Sequence, residues 1–136
     1  MKTKILVSAV FTLAAVVGAL ALSNGQEDPA RLSSKEALGL IRTMNSTEHS
    51  FKMKSSSFGS LEDVIELGQL DRTKPGIVLN DGNSGTVKDY QLSVVTSSDG
   101  RHYQISLRPG AGCGVSFFTN ESGVIYQGQA LGCPAP

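Results

Sequence analysis

The chain has 136 residues with 12 basic and 12 acidic side chains, so its formal charge is zero. That balance excludes the basic footprint of a nucleic-acid binder, and the length points to one domain. Trp is absent, aromatic residues make up 6%, and His49 and His102 are the only histidines, which leaves few groups for proton transfer near neutral pH.

The first segment reads as an address. Lys2 and Lys4 precede an uncharged run from Ile5 to Leu22, and the run exits through Ala19-Leu20-Ala21-Leu22-Ser23. A basic start, an apolar stretch and a small-residue exit form the layout of a secretory signal peptide over residues 1–23, cut after Ala21 or Ser23. The same run is just long enough to span a bilayer, so the alternative is an uncleaved inner-membrane anchor formed by Ile5–Leu22. Both readings put the remaining chain outside the cytoplasm, periplasmic or secreted. Removing residues 1–23 leaves 10 basic and 12 acidic residues, a charge of −2. The two cysteines, Cys113 and Cys133, both fall in the exported part. An oxidising compartment favours joining them, and closing a loop of about 20 residues removes roughly 3 kcal/mol of unfolded-chain entropy. Neither a Cys-x-x-Cys pair nor further metal ligands accompany them.

Residues 24–32 are polar, contain Pro29 and lack periodicity, which predicts a linker ahead of a globular domain over 33–136. Ser33 and Glu36 then form a capping-box pattern that opens a helix. Leu38, Ile41, Met44, Glu48 and Phe51 follow at spacings of three and four, flanked by Ala37 and Leu40, while Lys35, Arg42, Asn45, His49 and Lys52 take the other face. Ser55-Ser56-Ser57 and Gly59 end that helix, and residues 60–67 carry the signals of a second, short one. From Gly68 to Gly85 the chain is turn-rich, with at most a short strand at Ile77–Leu79.

Beyond Val87 the period changes to two. Tyr90, Leu92 and Val94 share one face, and Tyr103, Ile105 and Leu107 repeat the pattern after a Ser98-Asp99-Gly100 hairpin turn. Val115–Phe118 and Val124–Gln127 complete four strands. Gln91, Ser93, Gln104 and Ser106 are expected on the wet side. The resulting fold class is α+β: a long N-terminal amphipathic helix packed on a four-stranded antiparallel sheet.

Two blocks carry a family resemblance. Leu40-Ile41-Arg42-Thr43-Met44-Asn45-Ser46-Thr47-Glu48-His49-Ser50-Phe51 resembles the helix of bacterial type IV pilin-like and pseudopilin-like proteins, roughly L-R-T-I-N-T-A-E-x-x-Y. Ser116-Phe117-Phe118-Thr119-Asn120-Glu121-Ser122-Gly123-Val124-Ile125 resembles that family's closing hairpin, F-F-x-D-x-S-G-V-I. The Cys113–Cys133 pair is similar to the C-terminal disulfide loop of many pilins. One departure stands out. The prepilin pattern Gly-Phe-x-x-x-Glu is missing, so the resemblance implies a globular headpiece without the filament-forming stem.

Catalytic motifs are scarce. No Gly-x-Ser-x-Gly elbow exists, and Gly114-Val115-Ser116-Phe117-Phe118 reads as a strand entry. His102 is expected on the solvent side of a strand and His49 on the polar helix face. Glu48 falls on the apolar stripe, which predicts a buried or half-buried carboxylate paired to a nearby donor. Glu48 and Glu121 could serve carbohydrate cleavage only if they flank one cavity. Asp81-Gly82-Asn83-Ser84-Gly85 starts like a calcium loop, but Thr86 and Leu92 break the pattern. Some pseudopilin relatives bind calcium near the sheet, so the resemblance keeps Asp81, Asn83 and Asp89 as candidate ligands. No catalytic residue and no cofactor is assigned. The expected function is an exported, non-enzymatic, pilin-like domain acting in envelope protein contacts or as a pilus- or secretion-related component. The alternative is a small secreted hydrolase or ligand-binding domain with a cleft between helix and sheet. Nucleic acid is excluded as a partner, and a membrane is a partner only if the N-terminal segment stays uncleaved.

Overall fold

The structure, a computed structural model, describes residues 28–72 and 75–133. The signal-peptide or anchor segment lies outside these residues. Among the described residues no helix is long and apolar enough to cross a membrane.

Helix α1 spans Ser34–Ser55, and α2 spans Leu61–Gly68. Both open on reciprocal capping boxes, Ser33 with Glu36 and Ser60 with Asp63, which satisfy two backbone donors at each helix start. The chain then forms six strands: β1 Val78–Asp81, β2 Ser84–Val87, β3 Tyr90–Thr96, β4 Tyr103–Pro109, β5 Val115–Asn120 and β6 Tyr126–Gln129. They lie side by side in sequence order, each antiparallel to the next. The architecture is thus α+β, with two helices and a six-stranded antiparallel meander.

The expected four strands become six because β1 and β2 hide their alternation. Asp81 Oδ1 accepts the N–H groups of Asn83 and Ser84 at 2.8 and 2.7 Å, so a polar turn joins two strands of four residues. Within β2 only Gly85 and Val87 face inward, and a glycine gives no apolar signal. The last strand also lies later than the expected 124–127. Val124 belongs instead to the turn, its N–H bonded to Ser122 Oγ.

The core is the layer between the helices and one face of the sheet. Ile41 and Met44 of α1 are fully buried against Leu92, Val94, Ile105, Leu107 and Phe117. Truncating one such side chain costs about 2–5 kcal/mol. Leu38 and Phe51 sit at the margin of this layer, not in its centre. The buried arc of α1 instead runs through Ala37, Leu40, Ile41, Met44, Thr47 and Glu48, because α2 packs along its flank. Tyr103 Oη donates to Asn45 Oδ1, fastening α1 to β4. Leu32, expected in a linker, is also core: it is buried, and its N–H donates to Asp89 Oδ1 at 2.8 Å.

The β3–β4 turn has the expected chemistry. Gly100 takes φ +65°, and a Cβ there would lie 2.6 Å from that of Ser57, so both conformation and space call for glycine. Phe58 N–H donates to Gly100 O at 2.9 Å, which lays the α1–α2 connection against this turn.

Candidate functional site

Strand alternation decides what the second face of the sheet displays. With Leu92, Val94, Ile105, Leu107 and Phe117 turned inward, their neighbours must point the other way. Register then assembles two rungs across the outer face. One is Val95, Gln104 and Asn120; the next is Ser84, Ser93, Ser106, Phe118 and Tyr126. Val95 and Tyr126 are 64% and 57% exposed, so this face carries apolar groups without a cover.

Val95, Gln104, Phe118, Asn120 and Tyr126 line a groove of about 510 Å³, with His102 and Glu121 at its turn end. His102 Nδ1 lies 2.7 Å from Glu121 Oε1. That hydrogen bond holds the Glu121 carboxyl below the usual carboxylate range. An Nδ1–H donating to the carboxylate leaves Nε2 as an acceptor. No serine completes a catalytic relay here. Ser97 Oγ lies 2.5 Å from Asp99 Oδ1 and accepts the backbone N–H of His102 at 3.0 Å, so turn architecture occupies it.

Glu48 stands apart. Its side chain is fully buried, Oε2 accepts the Gly59 N–H at 3.0 Å, and Oε1 has no hydrogen-bond partner. Burial pushes its acid up to about 7, the Gly59 N–H opposes the rise, and Asp63 adds to it. Gly59 is held from its other side by Thr96 Oγ1, which donates to the Gly59 carbonyl at 2.6 Å. The sequence pattern thus anticipated a buried, hydrogen-bonded Glu48, but only one oxygen is satisfied. Glu48 does not line the groove that holds Glu121, so the two acids do not flank a common cavity. Tyr103 is near both: burial raises its phenol, and the charges of Glu48 and then Glu121 raise it further.

The candidate calcium ligands are engaged elsewhere. Asp81 Oδ2 accepts Ser84 Oγ at 2.7 Å while Oδ1 holds the turn amides, and these bonds keep its carboxyl low. Asp89 accepts Leu32 N–H and faces Arg31 Nε at 3.7 Å. Among the described residues no group of three His, Cys, Asp or Glu side chains could hold a metal ion. His49 is exposed at the surface, edge-on to Phe58 and Tyr103. Cys113 and Cys133 are bonded, with their Cα atoms 5.4 Å apart.

One expectation about the outer face needs correction. Ser106 is buried, not wet: it lies opposite Phe118 in register and its hydroxyl is 2.7 Å from that of Ser93. Of the groove residues, Gln104 and His102 were expected to face outward, whereas Phe118, Asn120 and Tyr126 were not. The available signal was Phe117-Phe118, since adjacent side chains of a strand face opposite ways and one aromatic ring must leave the core. No protein-family model, no curated protein and no solved structure matches the chain.

Proposed function

We propose that the chain is an exported, non-enzymatic domain of pilin-headpiece-like build that acts by contact with other proteins of the cell envelope, pilus or secretion components among them. Support for export comes from the leader pattern at residues 1–23 and from a disulfide that fits an oxidising compartment. Support for the build comes from a long helix lying over an antiparallel sheet whose tail is closed by that disulfide.

The observation that carries contact over catalysis is the β6 edge. Tyr126, Gln127 and Gly128 are exposed on a terminal strand that bears no charge and no proline. Val124 and Leu131, exposed at 50% and 103%, flank it. Natural sheets blunt such edges with charges, bulges or covers, because an open strand templates pairing with another chain. An edge left open in an exported domain suits strand addition by a partner, with backbone bonds giving affinity.

The test places a photo-cross-linker at Gln127 in cells that export the protein. A discrete adduct with an envelope protein is expected, and the Gly128→Lys variant, which charges the edge, should abolish it. The same cross-linker at Asn80 of β1 should give none. Equal adducts at both edges, or an adduct indifferent to Gly128→Lys, would overturn the reading.

The alternative reading, a small hydrolase or ligand-binding domain, needs a cleft: buried side chains fill the layer under α1, a hollow of about 550 Å³ lies between α2 and Leu79 of β1, and the groove opens on the outer face.

A further inference from the structure

We propose that the outer-face groove is a binding site for an uncharged oligosaccharide. This goes beyond the β6-edge contact and does not depend on it, since the groove opens on the face of the sheet and strand addition uses its rim.

Charge comes first. The groove's ionisable rim groups, His102 and Glu121, answer one another at 2.7 Å, and the lining between them and Tyr126 is neutral. The lining of this groove offers no counter-charge to a phosphate or a carboxylate, and Arg108 of the neighbouring hollow is turned onto the Phe118 ring. An uncharged ligand is its complement.

The hydrogen-bonding chemistry narrows the class. Gln104 and Asn120 stand side by side in register, each presenting a planar amide that both donates and accepts. Asn120 Oδ1 is engaged by the Ser122 N–H at 3.1 Å and by Ser122 Oγ at 2.6 Å, which turns its amide nitrogen into the free donor. His102 adds Nε2, which accepts from a hydroxyl when the ring is neutral and donates to one when it is charged. Hydroxyl groups are the ligand groups that match such mixed partners, because each hydroxyl is itself donor and acceptor.

The next rung supplies the apolar half. Phe118 and Tyr126 are register partners, and both line the groove beside the amides. A pyranose has an apolar C–H face to lay on a ring and hydroxyls at its rim for amides. Lining of this kind, apolar with a few placed polar groups, is what small-ligand sites share.

Length then favours an oligomer. Past Phe118 the face continues into a second hollow of about 310 Å³, lined by Gln91, Ser93, Ser106 and Arg108. Arg108 of this second hollow is turned onto the ring of Phe118, which lines the first, 5.3 Å from its centre in a cation–π contact. Five strands from β2 to β6 extend about 19 Å across the face.

The experiment titrates the purified protein with tetrasaccharides of glucose and of N-acetylglucosamine, using tetragalacturonate as the charged counterpart. Amide chemical shifts are the readout. At least one neutral tetramer should shift Gln104, Asn120 and Tyr126, and tetragalacturonate should bind more weakly. Tyr126→Ala should weaken binding about tenfold, the worth of one aromatic contact. Gln104→Ala should weaken it by a smaller factor, and Lys35→Ala on α1 should leave it unchanged. No shift with any neutral tetramer, tighter binding of the charged one, or shifts that spare these three residues would overturn the proposal. Because cross-linking at Gln127 is read on a different partner, either result can fail while the other stands.

Discussion

The two ends of the sheet are held by different chemistry. At the β1 end, α2 lies alongside: Glu62 N–H donates to Gly82 O at 3.1 Å, and a Cβ on Gly85 would sit 2.8 Å from Val78 O and 3.4 Å from Leu61. The β1 edge is also blunted by an irregular register between Leu79 and Asp81 and by the Asp81 charge. At the β6 end no helix lies alongside among the described residues. A Cβ on Gly128 would meet no atom within 4 Å, and the strongest tie nearby is the Cys113–Cys133 bond. A helix start and an irregular register guard one end, where β1 itself stays exposed, and a covalent link ties the other. On the proposed reading a surface free for partners cannot also be covered by core, so the covalent link would stand in for packing there.

Cutting that link is the sharpest way to separate the ends. Cys133→Ser, or a reductant, should lower stability by about 3 kcal/mol through the unfolded chain's regained freedom. Amide hydrogen exchange should quicken at Tyr126, Gln127 and Gly128, while β1 and β2 keep their protection relative to the global value. Equal loss at both ends would show that the sheet opens as one unit and would end the distinction.

The β1 end should answer to protons instead. Glu48 holds Gly59, next to the Ser60 cap that starts α2, and its acid is raised from 4.5 to about 7 by burial. The folded state therefore binds the proton more tightly than the unfolded one. Stability is fully present below about pH 4.5, falls as pH rises toward 7, and is level above that. The total fall should be about 3 kcal/mol, the differential between the two protonation states. Denaturant melts across this range should show the slope, and Glu48→Gln should flatten it. A slope that survives Glu48→Gln would place the titrating group elsewhere.

Both fastenings were partly visible before the fold. Two cysteines in an exported chain give the sulfur link directly, and Glu48 on an apolar stripe announces a buried acid. The capping boxes were equally legible, because Ser33 with Glu36 and Ser60 with Asp63 are local patterns that folding leaves intact. What the sequence concealed depends on neighbours distant in the chain. Ser106 looks wet until Phe118 and Ser93 are set beside it, and Leu32 looks like linker until Asp89 takes its N–H. The hairpin of β1 and β2 was hidden because Gly85 occupies an inward position where an apolar residue would have shown the period. The groove was hidden for a related reason: its residues come from four strands, and only register brings Val95, Gln104 and Asn120 onto one rung.

Two glycines give the finest test of the contrast. Gly85→Ala places a methyl group 2.8 Å from the Val78 carbonyl oxygen and 3.3 Å from Ile77, and backbone on that side cannot step away without opening β1 from β2. Overpacking of this kind costs about 1–3 kcal/mol. Gly128→Lys meets open space and should change the melting free energy by less than about 0.5 kcal/mol, as surface substitutions do. The pair thus separates fold from contact, because the variant that hardly affects stability is the one that charges the open edge. Thermal melts of the two proteins side by side check the first half, and loss of the Gln127 cross-link in Gly128→Lys checks the second. If Gly128→Lys proved as destabilising as Gly85→Ala, the β6 edge would be packed against something in solution, and its openness to partners would be lost with it.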